Sequence, residues 1–578
     1  MPVSIPKALL LLGCLLVLEC LPGPGRLLAA KGPESVVVIA NSTVPESLDV
    51  AESYLDLRDI PRKNLILVET ASGEGISREA YISQIHNPVL ETLLERDLIN
   101  ALAGESDRFG RKTVTMISSR VTYMVLCYGV PVRVTNRPVS EIDDLAFRKS
   151  LFTGSQAGLV KRFSEGRLAR NVASVDGELA LLLRPQMPLN GFVPNPYFRN
   201  TSPGGVRDVL KVTRLDGPSP EAVKRMLSNS IEGERKGLVG RAYVDEDGRK
   251  GGYKIGNEWL ARTARIFHEL GFDLEHDTKR ATFPEDARFD APVLYGGWYA
   301  RSLNGPFTLP GFRFPPGAVA AHLHSASARP LRSTSAGWVG PLVERGVSAT
   351  FGNVAEPYLA FTHHFDLFFE GLAKGLNFAD AAYLALPALS WQAVSIGDPL
   401  FRPFALPLEE QAAGAGDLLD SLRDPYILLR KVNRLEQSGD AEGALSLAGK
   451  GMRQSPGPAL ALRQAQLLVE DGKDRAALRA LAYLSELAPT ESGEWGLHAR
   501  LADTLHELGD PASALLIYRR FENLPMPEEL RLAFLKRGIQ VAKDAGEHKL
   551  AADWTAATTP PPEDPPSPPS EDTGKSDS

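Results

Sequence analysis

The chain has 578 residues, enough for several domains or for one large domain with appendages. With 43% hydrophobic and 23% charged residues it has the composition of a globular protein, and its formal net charge is −7. No clustered basic surplus marks a nucleic-acid binder, so that class is excluded.

The N-terminus reads MPVSIPKALLLLGCLLVLECLPGPGRLLAAK. Lys7 precedes an apolar core over residues 8–18, Pro22, Gly23, Pro24 and Gly25 interrupt it, and the small residues Ala29 and Ala30 follow. That order predicts a secretory signal peptide over residues 1–30 and an exported mature chain, in the periplasm, cell envelope or extracellular space. The apolar core is too short to cross about 30 Å of hydrocarbon, so no membrane span is expected after cleavage. Lipidation at Cys14 is the alternative processing, with only a short apolar run before it. Cys14 and Cys20 fall in the signal, which leaves Cys127 as the single thiol and no internal disulfide. Cys127 ends a strand-like run and reads as core filler.

From Ser35 the chain alternates strand and helix. SVVVIANS is a strand. The next segment carries Val44, Leu48, Ala51, Tyr54 and Leu55 at helical spacing and stops at Pro61. NLILVET, a helix over ISREAYISQIHNPVLETLLER, and the strand YMVLCYGVPVRV follow. Residues 137–205 interrupt the rhythm as a Pro-bearing insertion (Pro188, Pro194, Pro196) with one helical piece, VASVDGELALLL. VLKVTRLDG resumes it, followed by a helix capped by Ser219 with Pro220 at its first position. Further strands are LVGRAYVDED, APVLYGGWYA, AVAAHLHSASA, GVSATFGN and AVSIGDPLFRPF, with helices between them. Continuous apolar strands separated by helices predict an α/β fold over residues 35–405. Its sheet is mostly parallel and covered on both faces, as one unit or as two halves sharing a sheet.

Beyond residue 420 the texture turns to Ala/Leu-rich helix. Gly439, Gly472 and Gly509 each end a helical run, and Ala444, Ala477 and Ala514 follow five residues later. Pro456, Pro489 and Pro525 close the units, and a degenerate fourth copy falls around Gly546. This phase resembles tetratricopeptide repeats over residues 420–556, which implies a surface for a protein or peptide partner. The Pro-, Ser- and acid-rich stretch 557–578 is expected to be disordered.

Ligands of parallel α/β sheets bind at the carboxyl ends of the strands. That singles out Asn41 and Ser42, CYGVP, YGGWYA, HLHSASA and IGDPL. The order of the last three resembles the C-terminal half of gingipain-type cysteine peptidases, which have a caspase-like fold. Tyr295, Gly297, Ser325, Ala326, Gly397, Asp398 and Pro399 match that pattern. The catalytic pair does not: Trp298 stands where the general-base His is expected, and Ser327 where the Cys is expected. The block also resembles a family of exported bacterial proteins through Asn41, Ser42, Ile60, Pro61, YGVPVRV, ASVDGEL, GWYA, HLHS and GDPLFRPF, which implies fold and location rather than mechanism.

Three functions follow as expectations. The first is a degenerate caspase-like domain, not an active cysteine peptidase, that binds a ligand or protein at the old site. Its pocket would be lined by Asn41, Ser42, Tyr295, Trp298, His322, Glu356 and Asp398, and the repeats would serve a protein partner. The second is a hydrolase rebuilt on His324 with Ser325 or Ser327, with Glu356 or Asp398 orienting the ring. The third is an assembly factor acting through the repeats alone. No cofactor or metal is expected: Asp143 with Asp144, Asp176 with Glu178, and His363 with His364 are weak ligand sets.

Overall fold

The structure, a computed structural model, describes residues 32–135, 172–184, 193–204, 206–414, 424–454 and 456–559. Residues 1–31, with the expected signal peptide, most of the insertion with Asp143, Asp144 and Pro188, and residues 560–578 lie outside the described residues.

Ten strands form one sheet: β1 (Val36–Asn41), β2 (Leu65–Val68), β3 (Tyr123–Cys127), β4 (Lys211–Leu215), β5 (Arg241–Asp245), β6 (Leu274–Asp277), β7 (Pro292–Gly297), β8 (Val319–His322), β9 (Ala349–Asn353) and β10 (Ala393–Gly397). Their spatial order is β6-β5-β7-β8-β9-β10-β4-β3-β1-β2. The inner strands are largely apolar on both faces because both faces are covered, while the edge strands β2 and β6 are partly exposed. In β1, Val36, Val38 and Ala40 enter one core and Val37 and Ile39 the other; in β3, Tyr123, Val125 and Cys127 oppose Met124 and Leu126 in the same way. The α/β region, expected as one unit or as two halves sharing a sheet, is built on this one open sheet.

β10 runs against the other nine strands. It pairs antiparallel with β9, from Ala349 with Gly397 to Asn353 with Ala393. Its single bridge to β4, Arg214 with Ile396, is of the parallel kind. One bridge does not set a direction, however; the two ends of the strand do. Before β10, Trp391 and Gln392 accept from the backbone N–H groups of Ser174 and Val354, beyond the carboxyl end of β9. After it, Pro399 and Phe401 accept from Ala379 and Phe378, beside Asp380, which pairs with Lys211 at the start of β4 at 2.6 Å. The carboxyl ends of β1, β3, β4, β7, β8 and β9 therefore open on one edge. Arg332, in the loop after β8, bridges that edge to Asp216 after β4 and to the carbonyls of Ser72 and Val130.

Helices cover the sheet. Among them are α1 (Pro45–Arg58), α2 (Asn87–Glu95), α3 (Pro220–Lys236), α4 (Lys254–Glu269), α5 (Val339–Glu344), α6 (Phe365–Ala373) and α7 (Phe378–Ala385). Ser219 caps α3 by accepting from Ala222 N–H, with Pro220 opening the helix. The helical stretch before β10 forms two helices, α6 and α7, split at Gly375, whose φ is 85°. Gly233 lets α3 lie on the backbone entering β8: a Cβ there would stand 2.2 Å from the Gly317 Cα. Gly233→Ala is expected to destabilise the sheet by roughly 1–3 kcal/mol through overpacking, read as a lowered thermal midpoint.

The C-terminal region is an array of packed helix pairs: α8 (Asp424–Gln437) with α9 (Ala441–Gln454), α10 (Pro458–Glu470) with α11 (Asp474–Ala482), α12 (Trp495–Glu507) with α13 (Pro511–Phe521), and α14 (Glu528–Asp544) with α15 (His548–Thr558). Gly439, Gly472, Gly509 and Gly546 sit at the turn inside each pair with φ of 87°, 68°, 88° and 82°. The residue after each glycine donates its N–H back to the carbonyl five positions earlier (Asp440 to Leu435, Lys473 to Leu468, Asp510 to Leu505, Glu547 to Ala542), a Schellman closure. The alanines five residues beyond each glycine are buried where the paired helices cross. No described helix is long and apolar enough to cross a membrane.

Candidate functional site at the carboxyl edge

β7 and β8 run side by side with Gly297 opposite His322, so the YGGW and HLHS segments leave the sheet together. His322 is the last residue of β8 and is fully enclosed. Its Nε2 accepts from Ala300 N–H at 3.0 Å, which leaves the ring proton on Nδ1, 2.9 Å from the Tyr295 hydroxyl. The ring stacks on Trp338 with centroids 3.5 Å apart. Burial holds its pKa well below the usual range, with His324 adding to the effect, so the imidazole stays neutral. Behind Tyr295 lies Asp245, whose carboxyl burial pushes up to about 8. Tyr295 and His322 are thus bonded to each other and to a backbone N–H, with no ring nitrogen left for a substrate.

His324 lies beyond the strand end, half-buried, with its ring 4.9 Å from that of Tyr299. Its Nδ1 is 3.4 Å from Ala326 N–H. Burial lowers its pKa, Glu356 opposes that and Arg301 reinforces it. Ser325 is partly exposed, with Oγ 3.4 Å from the Tyr299 hydroxyl. Ser327 is buried, and its Oγ accepts from Asn353 N–H at 3.2 Å. Neither serine hydroxyl is hydrogen-bonded to an imidazole among the described residues. The chain turns after β8 so that the Ser327 hydroxyl points inward to Asn353 rather than toward His324.

Trp298 is buried. Its Nε1 donates to Asn257 Oδ1 at 2.6 Å, and its ring packs on Gly256 of α4, where a Cβ would meet it at 2.3 Å. Indole only donates, so Trp298 cannot serve as a general base. Glu356 is exposed and its carboxylate accepts from Tyr358 N–H at 3.3 Å.

Asp398 does not belong to this edge. Because β10 runs backwards, Asp398 emerges at the amino edge. There it accepts from the Tyr54 hydroxyl at 2.7 Å and from Arg58. It cannot orient His324, and its expected places in the pocket and behind the ring are corrected. Asn41 is at the carboxyl edge but is consumed structurally. Its Nδ2 donates to the Thr70 and Gly129 carbonyls at 2.9 and 3.0 Å, and its Oδ1 accepts from Thr43. Ser42 donates to the Val68 carbonyl at 3.2 Å. Cys127 is enclosed and burial pushes its thiol far up, so it is no nucleophile.

Several residues that shape the edge carry no motif in the sequence. Arg249 lies 3.8 Å over the Tyr253 ring and 5.6 Å from Tyr299, next to His324 and Ser325. Further along, the fully buried Arg214 donates to Asp176 at 2.7 Å, to Asp216 at 3.2 Å and to the Val130 and Pro131 carbonyls. Arg332 adds bonds to both Asp216 oxygens and so pins the far end of the loop that carries His324. Of these, only Arg214 carried a signal, an isolated charge inside the apolar strand VLKVTRLDG; Arg249 and Arg332 lie in loops. Among the described residues no group of three or more His, Cys, Asp or Glu could hold a metal ion.

Comparison of the chain with protein-family models, with curated proteins and with solved structures finds no match.

Proposed function

We propose that the mature protein is exported and acts by binding. On this reading the α/β domain is a degenerate caspase-like module without a catalytic dyad, and the helical array serves a protein partner. The observation that carries the reading is the state of the two dyad positions. Trp298 is buried and engaged with Asn257, and Ser327 is buried and engaged with Asn353. What the carboxyl edge leaves partly exposed is a shelf of Tyr253, Tyr299, His324 and Ser325, with Arg249 lying over the Tyr253 ring and paired with Asp247. Its aromatic faces, hydroxyls and guanidinium suit a polar peptide segment or protein surface better than bond cleavage. The hydrolase alternative is left with Ser325 as its nucleophile.

Both readings are tested by treating the purified mature chain with a fluorophosphonate probe and with a thiol-directed peptidyl ketone. No covalent adduct is expected from either. An adduct at Ser325 that disappears in both Ser325→Ala and His324→Ala would overturn the binding reading and establish the hydrolase.

A further inference from the structure

The array does not stand free of the α/β domain. One stripe of α8 faces the end of α4. Arg430 donates to the Leu270 carbonyl at 2.9 Å, Asn433 to Gly271 at 3.1 Å, Arg434 to Glu269 at 2.5 Å and Gln437 to His268 at 2.7 Å. These carbonyls are the orphan acceptors of a helix C-terminus, and the two arginines also suit the negative end of its dipole. The same stripe brings the Tyr426 hydroxyl to Asp290 at 2.8 Å. The later first helices of the array converge on one loop of the α/β domain, residues 284–288. The α12 backbone at Gly496 lies so close that a Cβ there would stand 2.1 Å from the Ala287 carbonyl oxygen. From α14, Arg537 donates to the Asp286 carbonyl at 3.0 Å and to its carboxylate at 3.2 Å. The face that α8, α12 and α14 share is therefore occupied by the chain itself.

The loop is built to lift without unfolding its surroundings. It is a turn closed by Ala287 N–H on the Pro284 carbonyl at 3.0 Å. Phe283 and Phe289 on either side are buried in the core, and Asp290 is held by Arg288 at 2.9 Å. At the tip, Asp286 meets the array through one partly exposed ion pair with Arg537, the weak kind, while Glu285 accepts from the Thr308 hydroxyl at 3.1 Å and Ala287 touches the backbone at Gly496.

We propose that this face of the array is a peptide-binding surface latched in cis by residues 284–288. An external partner engages it by presenting an extended acidic segment in place of that loop. Such a segment supplies a carboxylate to Arg537 and a small residue at Gly496. The inference rests on the reading that the array serves a protein partner, and it names the chemistry of that partner.

The test uses the full mature chain and a fluorescein-labelled peptide of residues 282–291, TFPEDARFDA. Asp286→Lys breaks the latch and leaves the receptor side intact. Gly496→Ala wedges the loop away without altering charge. In both variants, amide exchange in residues 284–288 is expected to quicken at least tenfold, while exchange in α4 and β7 stays as in the wild type. Asp286→Lys is expected to bind the peptide at least tenfold more tightly than the wild type, and adding Arg537→Ala is expected to abolish that gain. Unchanged exchange in both variants overturns the latch. A loop that opens while the peptide still does not bind overturns the peptide site and makes the face a scaffold contact. Neither result bears on the dyad positions, whose probe-labelling test stands apart.

Discussion

Arg214→Ala is expected to destabilise the α/β domain by roughly 3–5 kcal/mol, among the largest effects of any single substitution in it. Arg214 is fully enclosed, and its guanidinium serves Asp176, Asp216 and two carbonyls from the turn after β3. Truncation leaves those groups in place without their donor. Asp216 keeps Arg332 and the Gly217 N–H. Asp176 loses its cation, and burial, which already raises its pKa, would then act unopposed by Arg214. Removing both partners is cheaper than removing one. Arg214→Met with Asp176→Asn should therefore recover a substantial part of the loss in urea-unfolding free energy. The consequence reaches the candidate site, because Asp216 anchors Arg332 and Arg332 pins the loop bearing His324 and Ser325. Amides over residues 323–332 should exchange faster in Arg214→Ala than in the wild type. A loss below about 1 kcal/mol would show that water already compensates Asp176 and Asp216, and the cluster would then not be the clamp described.

How much of this was legible in the sequence depends on whether the signal was local. The array was legible because each pair must turn through a positive φ that glycine alone takes without strain, so Gly439, Gly472 and Gly509 recur in phase with the alanines that let helices cross. The parallel sheet was legible because strands such as YMVLC are buried on both faces. Strand direction was not. Nothing in AVSIG distinguishes a strand that runs with its neighbours from one that runs against them, and the rule that ligands gather at carboxyl ends therefore carried Asp398 to the wrong edge. The length of β8 was not legible either. The apolar run suggested a strand bearing both histidines, but β8 stops at His322, and His324 falls in the following turn, where alternation no longer applies. The hairpin of Ile99–Ala103 with Val114–Ser119 was missed because its residues are largely exposed and carry little apolar alternation. Arg249, Tyr253 and Tyr299 come together only through tertiary packing.

Stability is expected to be greatest near about pH 6.5–7 and to fall on both sides, because enclosed groups of opposite sense titrate there. Four histidines are kept neutral by burial. His86 is lowered to about 4, with Arg111 contributing; His363 is lowered to about 3, with His364 contributing; His364 is lowered to about 3, with Arg199 and Arg262 contributing; His322 is lowered well below 6.5. The unfolded chain binds these protons near pH 6.5 and the folded chain only far lower. Their contribution is thus complete above pH 6.5 and is lost as pH falls. Asp245 acts in the other direction. Its folded carboxyl holds a proton up to about 8 while the unfolded one releases it near 3.8, so its contribution grows as pH falls below 8 and is lost as pH rises through 8. Each such proton is worth about 1.4 kcal/mol per pH unit once fully engaged. From pH 6.5 to 5.5 the four histidines together remove about 4 kcal/mol and Asp245 restores about 1.4, a net loss of roughly 2–3 kcal/mol. The check is the urea midpoint from tryptophan fluorescence at pH 5.5, 6.5 and 8, since four of the six tryptophans (Trp259, Trp298, Trp338 and Trp391) lie in the α/β domain. His364→Phe preserves the stack on Trp259, 4.0 Å away, and removes one titrating group, so it should flatten the acid limb by about one proton. Asp245→Asn should leave the acid limb and erase the alkaline one. A midpoint that does not move between pH 5.5 and 6.5 would mean that the histidines gain their protons in the folded chain, and that the enclosure drawn around His322 and His363 is open to water.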